Sequence, residues 1–141
     1  MKRLVSAAAV ALVGAAILTA SAVAAVAPGT YKGNLYTGAT KGAAATVTVA
    51  GNKVTIKAAK FAVKCQGPSG AYDQPAAPMK YEFKGTLKGN SVSGTYIDPL
   101  GGTGEYTTAK LTYSAATKSF SGKIGRGGKC QGTSTLKAKK A

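Results

Sequence analysis

From about residue 29 to its end, the chain alternates apolar and polar residues, and it does so through turns whose positions can be read. Period two is the side-chain period of a β-strand. Val47-Thr48-Val49-Ala50 and Lys53-Val54-Thr55-Ile56 flank Gly51-Asn52. A two-residue hairpin turn needs positive φ, which Gly and Asn tolerate. Folding back there sets Val49 against Val54 and Val47 against Ile56, so the apolar faces agree. Gly89-Asn90 forms a second tip, setting Leu87 against Val92, Gly85 against Gly94 and Phe83 against Tyr96. A third turn, Ala115-Ala116-Thr117-Lys118, sets Tyr113 against Phe120. A one-residue slip would send each of these side chains to the wrong face. Three independent agreements of turn and face therefore specify an antiparallel, all-β chain. No stretch after residue 28 carries a helical period.

Eight strands are predicted, at about 29–36, 43–50, 53–66, 79–88, 91–98, 105–114, 119–125 and 129–139. The third has a parity defect. Val54 and Ile56 face inward at even positions, whereas Phe61, Val63 and Cys65 do so at odd ones. A β-bulge near Ala58-Ala59-Lys60 repairs it. Many short strands joined by turns make an up-and-down β-barrel, or a flattened barrel or sandwich. In up-and-down order the tight turns at 51–52, 89–90 and 115–118 share one end. The longer loops predicted at 37–42, 67–78, 99–104 and 126–128 share the other. A closed end and a looped end is how small ligand-holding barrels are built. In that outline the chain resembles the lipocalin and avidin type of barrel. The resemblance is architectural and carries no residue with it.

The first 25 residues read differently. Lys2 and Arg3 precede an apolar run from Leu4 to Leu18, and small residues follow through Ala24-Ala25. That is the pattern of a secretory signal peptide, with cleavage expected after Ala24 or Ala25 and a single all-β domain over 26–141. Loss of Lys2 and Arg3 would lower the net charge from +15 to +13. Export makes a Cys65–Cys130 disulfide the default. Both cysteines fall at the looped end, yet strands three and eight are not neighbours in a round barrel. A bond needs Cα atoms within ~7 Å. The sequence leaves three alternatives: a flattened barrel, a strand order other than a meander, or no bond.

The residue inventory limits the chemistry. Histidine is absent, which removes the commonest general base and transition-metal ligand. Bonded cysteines would leave no thiolate nucleophile and no zinc site. The serines lie in turns or on strands, none in a nucleophile elbow. No cofactor and no metal is expected. The acids are Asp73, Glu82, Asp98 and Glu105. Asp98 and Glu105 flank a Gly-rich loop and could meet as an acid–base pair of a hydrolase, or as part of a calcium site. Tyr72 and Asp73 sit at the centre of the long 67–78 loop, and Arg126 is the single arginine after the leader. These five residues are the candidate ligand contacts.

The lysines follow the strand parity. Lys57, Lys60, Lys64, Lys80, Lys84 and Lys88 are predicted on the outer side of strands three and four, interrupted only by Glu82. Such a face suits an anionic envelope polymer or surface. Lysine rather than arginine points to diffuse attraction, and no motif for sequence-specific nucleic-acid binding is present. An outward face of lysines excludes a transmembrane barrel. Inward, Tyr31, Tyr81, Tyr96, Tyr113, Phe61, Phe83 and Phe120 alternate with Gly33, Gly85, Gly94 and Gly122. Large beside small fills a small barrel, or leaves a cavity lined by tyrosine hydroxyls. The expected function is that of an exported, non-enzymatic binding or envelope-associated protein with an anionic partner. The alternatives are a barrel carrier of a small, partly apolar ligand and, third, the hydrolase.

Overall fold

The computed structural model describes residues 25–97 and 104–141; the expected signal peptide, all but its residue 25, lies outside them. The strands are β1 (Gly29–Thr37), β2 (Thr40–Ala50), β3 (Lys53–Phe61), β4 (Lys64–Cys65), β5 (Gln74–Pro75), β6 (Met79–Lys88), β7 (Ser91–Tyr96), β8 (Tyr106–Ser114), β9 (Ser119–Gly127) and β10 (Cys130–Lys140). The eight long strands run in the order β1-β2-β3-β6-β7-β8-β9-β10, and β10 pairs back with β1. This is a closed, eight-stranded antiparallel meander, with β4 and β5 as a small extra ladder at one end.

The hairpin registers follow from parity. Val49 pairs with Val54 and Val47 with Ile56. Leu87 pairs with Val92, and Tyr113 with Phe120. At the first tip only Gly51 takes positive φ (62°), which is the pattern of a II′ turn rather than one demanding it of Asn52 as well. Two connections expected to be long are tight: β1 and β2 turn over residues 38–39, and β9 and β10 over 128–129. The looped end therefore carries only the 62–78 segment and the 97–105 connection.

The interior is filled. Tyr31, Tyr81, Phe61, Phe83, Phe120, Ile56, Leu111, Ile124 and Leu136 are each less than 2% exposed. Large apolar side chains buried to this degree contribute about 1.5–3 kcal/mol apiece. Near the tight turns, Tyr31 packs edge-on against Phe120 (ring centroids 4.9 Å) and Tyr113 (5.9 Å). At the opposite end Phe61 packs on Tyr81 at 5.1 Å. Buried tyrosines keep a partner for the hydroxyl. Tyr31 donates to the Ala27 carbonyl and Tyr81 to that of Thr108, both at 2.6 Å.

One seam is weak. The β6–β7 ladder holds only Leu87–Val92 and Lys88–Ser91, so the expected Gly85–Gly94 and Phe83–Tyr96 ladder pairs do not form. The Phe83 and Tyr96 rings still face each other at 6.5 Å. Side chains take over from the missing ladder bonds. Thr107, 1% exposed, donates to the Glu82 carbonyl (2.7 Å) and lies 3.4 Å from that of Tyr96. One buried hydroxyl thus bridges carbonyls on the two sides of the gap where the ladder is missing.

The disulfide is present, and its geometry answers the puzzle in a way the sequence did not suggest. The β3–β6 register shifts between Ala58 and Phe61, the expected bulge. Beyond it the chain does not continue as strand three to residue 66. It leaves β3 and crosses the barrel end, burying Phe61 and Val63 as a cover. There β4 pairs with the start of β10, Cys65 opposite Cys130, with Cα atoms 4.0 Å apart. The crossing passes directly over Gly132. A Cβ there would lie 2.2 Å from the Ala62 carbonyl oxygen, so only glycine permits this approach. The barrel stays closed, the meander is kept, and the bond forms because Cys65 is on a spur rather than in the wall.

Candidate functional site

Tyr72 folds onto the cover, whereas Asp73 beside it faces solvent. The Tyr72 hydroxyl donates to the Gly128 carbonyl at 2.7 Å, pinning the long loop to the β9–β10 turn. The Gln66 amide donates to Lys129 O (2.8 Å), and Gly67 and Ala71 close a turn at 2.8 Å. Asp73 is exposed and accepts from Gln74 Nε2 at 3.1 Å. Both β4–β5 pairs and these bonds make the loop a built structure. Tyr72 borders a shallow groove of about 410 Å³ with Lys64 and Gln131.

Glu105 and Arg126 come together as an ion pair between Arg126 Nη2 and Glu105 Oε2. Their side chains are 17% and 9% exposed, so the pair is largely shielded from solvent. Arg126 falls on the inward parity of β9, at the covered end. Its Nε is buried with no hydrogen-bond partner among the described residues. The contact clamps the start of β8 to the end of β9. Asp98 lies outside the described residues, and the proposed Asp98–Glu105 acid pair with it. Among the described residues, no group of three or more Cys, Asp or Glu could hold a metal ion.

The six lysines singled out on strands three and four are exposed on β3, β4 and β6. Glu82 stands in their midst. It pairs opposite Lys57 in the ladder, and Lys84 Nζ lies 3.3 Å from its carboxylate. Lys84 Nζ also sits 6.0 Å over the Tyr96 ring. This face is therefore partly neutralised at its centre.

A second basic region comes from strands far apart in sequence. The β1–β10 closure sets Lys32 opposite Lys139 and Asn34 opposite Lys137. On the next ladder Lys137 faces Ser121, Lys139 faces Ser119, and Thr135 faces Lys123. Lys123 in turn faces Lys110 on β8. Like charges directly opposite each other cost roughly 0.2–1 kcal/mol per pair, and here two such pairs stand, Lys32–Lys139 and Lys110–Lys123. No Asp or Glu occurs from Gly29 to Ala50 or from Tyr106 to Ala141. An open groove of about 510 Å³ lies on this region, with Lys32, Lys137 and Lys139 around Gly33, Ser119 and Ser121. Short side chains make the floor and lysines the walls. The outward parity of these lysines and the lack of acids at both ends of the chain were the available signals; only barrel closure turns them into one surface. No family model matches this chain, and neither a curated protein nor a solved structure matches it.

Proposed function

We propose that the protein is an exported, non-enzymatic binding protein, held through its lysine exterior to an anionic polymer or surface of the cell envelope. The observation that carries this reading is charge without countercharge. The sequence has 19 Lys and Arg against 4 Asp and Glu, and the ion pairs among the described residues are Lys84–Glu82 and Arg126–Glu105. A field of this kind raises the local concentration of anions and steers them to the surface. The filled interior supports a partner outside the barrel rather than within it. The lack of histidine and the bonded cysteines support binding over catalysis. The leader and the disulfide together support an oxidising location outside the cytoplasm.

The test is fractionation of the producing cell. The protein should stay with the envelope at low salt and be released as salt rises, because screening shortens the reach of the charges. Complete release into the medium at low salt would overturn the reading.

A further inference from the structure

Resting on that reading, we propose that the partner is a linear acidic polysaccharide, and that it lies across the outer face of β1, β10, β9 and β8 rather than on the β3–β6 face. The register defines a diagonal row on the former: Lys32 beside Lys139, then Lys137, then Lys123 beside Lys110. All five are exposed. The backbone positions that carry them are about 5 Å apart across strands, about 7 Å apart along a strand, and about 7–8 Å apart on the Lys137–Lys123 diagonal. A polymer with one charge per monomer meets such a row repeatedly along its length. The β3–β6 face cannot offer this, since Glu82 interrupts it and engages Lys84.

The groove argues for a sugar. Ser119, Ser121 and Asn34 lie among the lysines and can exchange hydrogen bonds with sugar hydroxyls. Lysine ammonium groups, as point charges with rotatable donors, suit carboxylates or sulfates on a flexible chain. Single-stranded nucleic acid favours a platform of free aromatic faces for stacking. Here the aromatic residues lining the groove are Phe120, which is fully buried, and Tyr36, which has Lys137 Nζ standing 5.1 Å over its ring. A lipid surface is favoured by exposed apolar side chains that enter it. Among the described residues the exposed large apolar side chains, Ile97 and Tyr106, line a different pocket, beside Glu105.

The experiment titrates the purified exported protein with polygalacturonate, with neutral dextran, with a single-stranded oligonucleotide and with phosphatidylglycerol vesicles, at physiological ionic strength. Two variants of equal charge change are compared, K32Q/K137Q/K139Q and K57Q/K80Q/K88Q. Thermal melts check that each is folded. Polygalacturonate should bind the wild type while dextran does not. The first variant should lose about ten-fold or more in affinity and flatten the salt dependence, whereas the second stays within about three-fold. In the wild type, polymer should perturb the amide signals of Ser121 and Lys137 in preference to those of Lys57 and Lys80. Equal losses in both variants would refute the site while leaving envelope attachment standing. Tighter binding of the oligonucleotide or the vesicles would refute the polysaccharide. No binding to any of the anionic probes would refute both the site and the reading beneath it.

Discussion

Replacing both cysteines with alanine tests the role of the spur that covers the barrel end. The bond joins residues separated by 65 positions, and all of β6, β7, β8 and β9 lies between them. On the chain-entropy account, closing a loop of that length in the unfolded chain stabilises the fold by about 4 kcal/mol. Unfolding entropy near the midpoint runs about 2 cal/mol/K per residue, or roughly 0.25 kcal/mol/K for a domain of this size. The ratio predicts a fall in Tm of about 15 °C. Circular dichroism melts of the wild type, of the wild type with reductant and of the double variant measure it. Reductant and mutation should give the same Tm, and reductant should not affect the variant. A fall of less than about 5 °C would refute the reasoning. It would mean that Phe61, Val63 and the Tyr72–Gly128 bond hold the cover without the cross-link, or that the reduced chain keeps the loop closed when unfolded.

Gly132→Ala should cost about 2–3 kcal/mol, because the new methyl meets the Ala62 carbonyl; denaturant melts would show it. Glu105→Gln should cost about 3 kcal/mol by leaving the Arg126 charge shielded and unpaired, and Glu105→Gln/Arg126→Met should recover much of it. Burial first, and then the neighbouring Tyr113, push the Tyr31 hydroxyl from its ordinary 10.0 up to about 12, and burial pushes Tyr81 up as well. The folded state then holds protons that the unfolded chain releases. The Tyr31 contribution is whole below pH 10 and drains away as pH rises through about 12, so the denaturation midpoint should fall across that interval. Thr107→Val should cost about 1–2 kcal/mol and speed amide exchange in β6 and β7 more than in β9 and β10, since it unties the side-chain bridge across the seam.

The fold was legible where turn and parity spoke together. Val47, Val49, Val54 and Ile56 fix one hairpin without any knowledge of the rest, and the bulge at Ala58 follows from the switch of parity before Phe61. The reading failed where a long-range contact decides. Nothing near Phe83 or Gly85 announces that β6 and β7 part after two pairs, because the bridge comes from Thr107 on another hairpin. Residues 62–66 have strand-like alternation, yet Gly132, some 70 positions away, draws them off the wall. The candidate site divides in the same way. Arg126 and Glu105 were singled out separately and meet; Tyr72 is a fastening of the loop. The lysines of β3 and β6 were found because they are neighbours in sequence, whereas those of β1, β9 and β10 become a surface only when the last strand reaches the first.

That last strand also sets the timetable of folding. β10 closes the ladder with β1, completes β9, and receives β4 with its cysteine. Three interfaces thus wait for β10, which is made after every other strand of the barrel. Without residues 132–140 the sheet has open edges at β1 and β9, and the core side chains Leu136 and Ala138 are missing. Unpaired strand edges and uncovered apolar surface are what proteases and aggregation act on, so the barrel gains its protection in one step, when β10 docks.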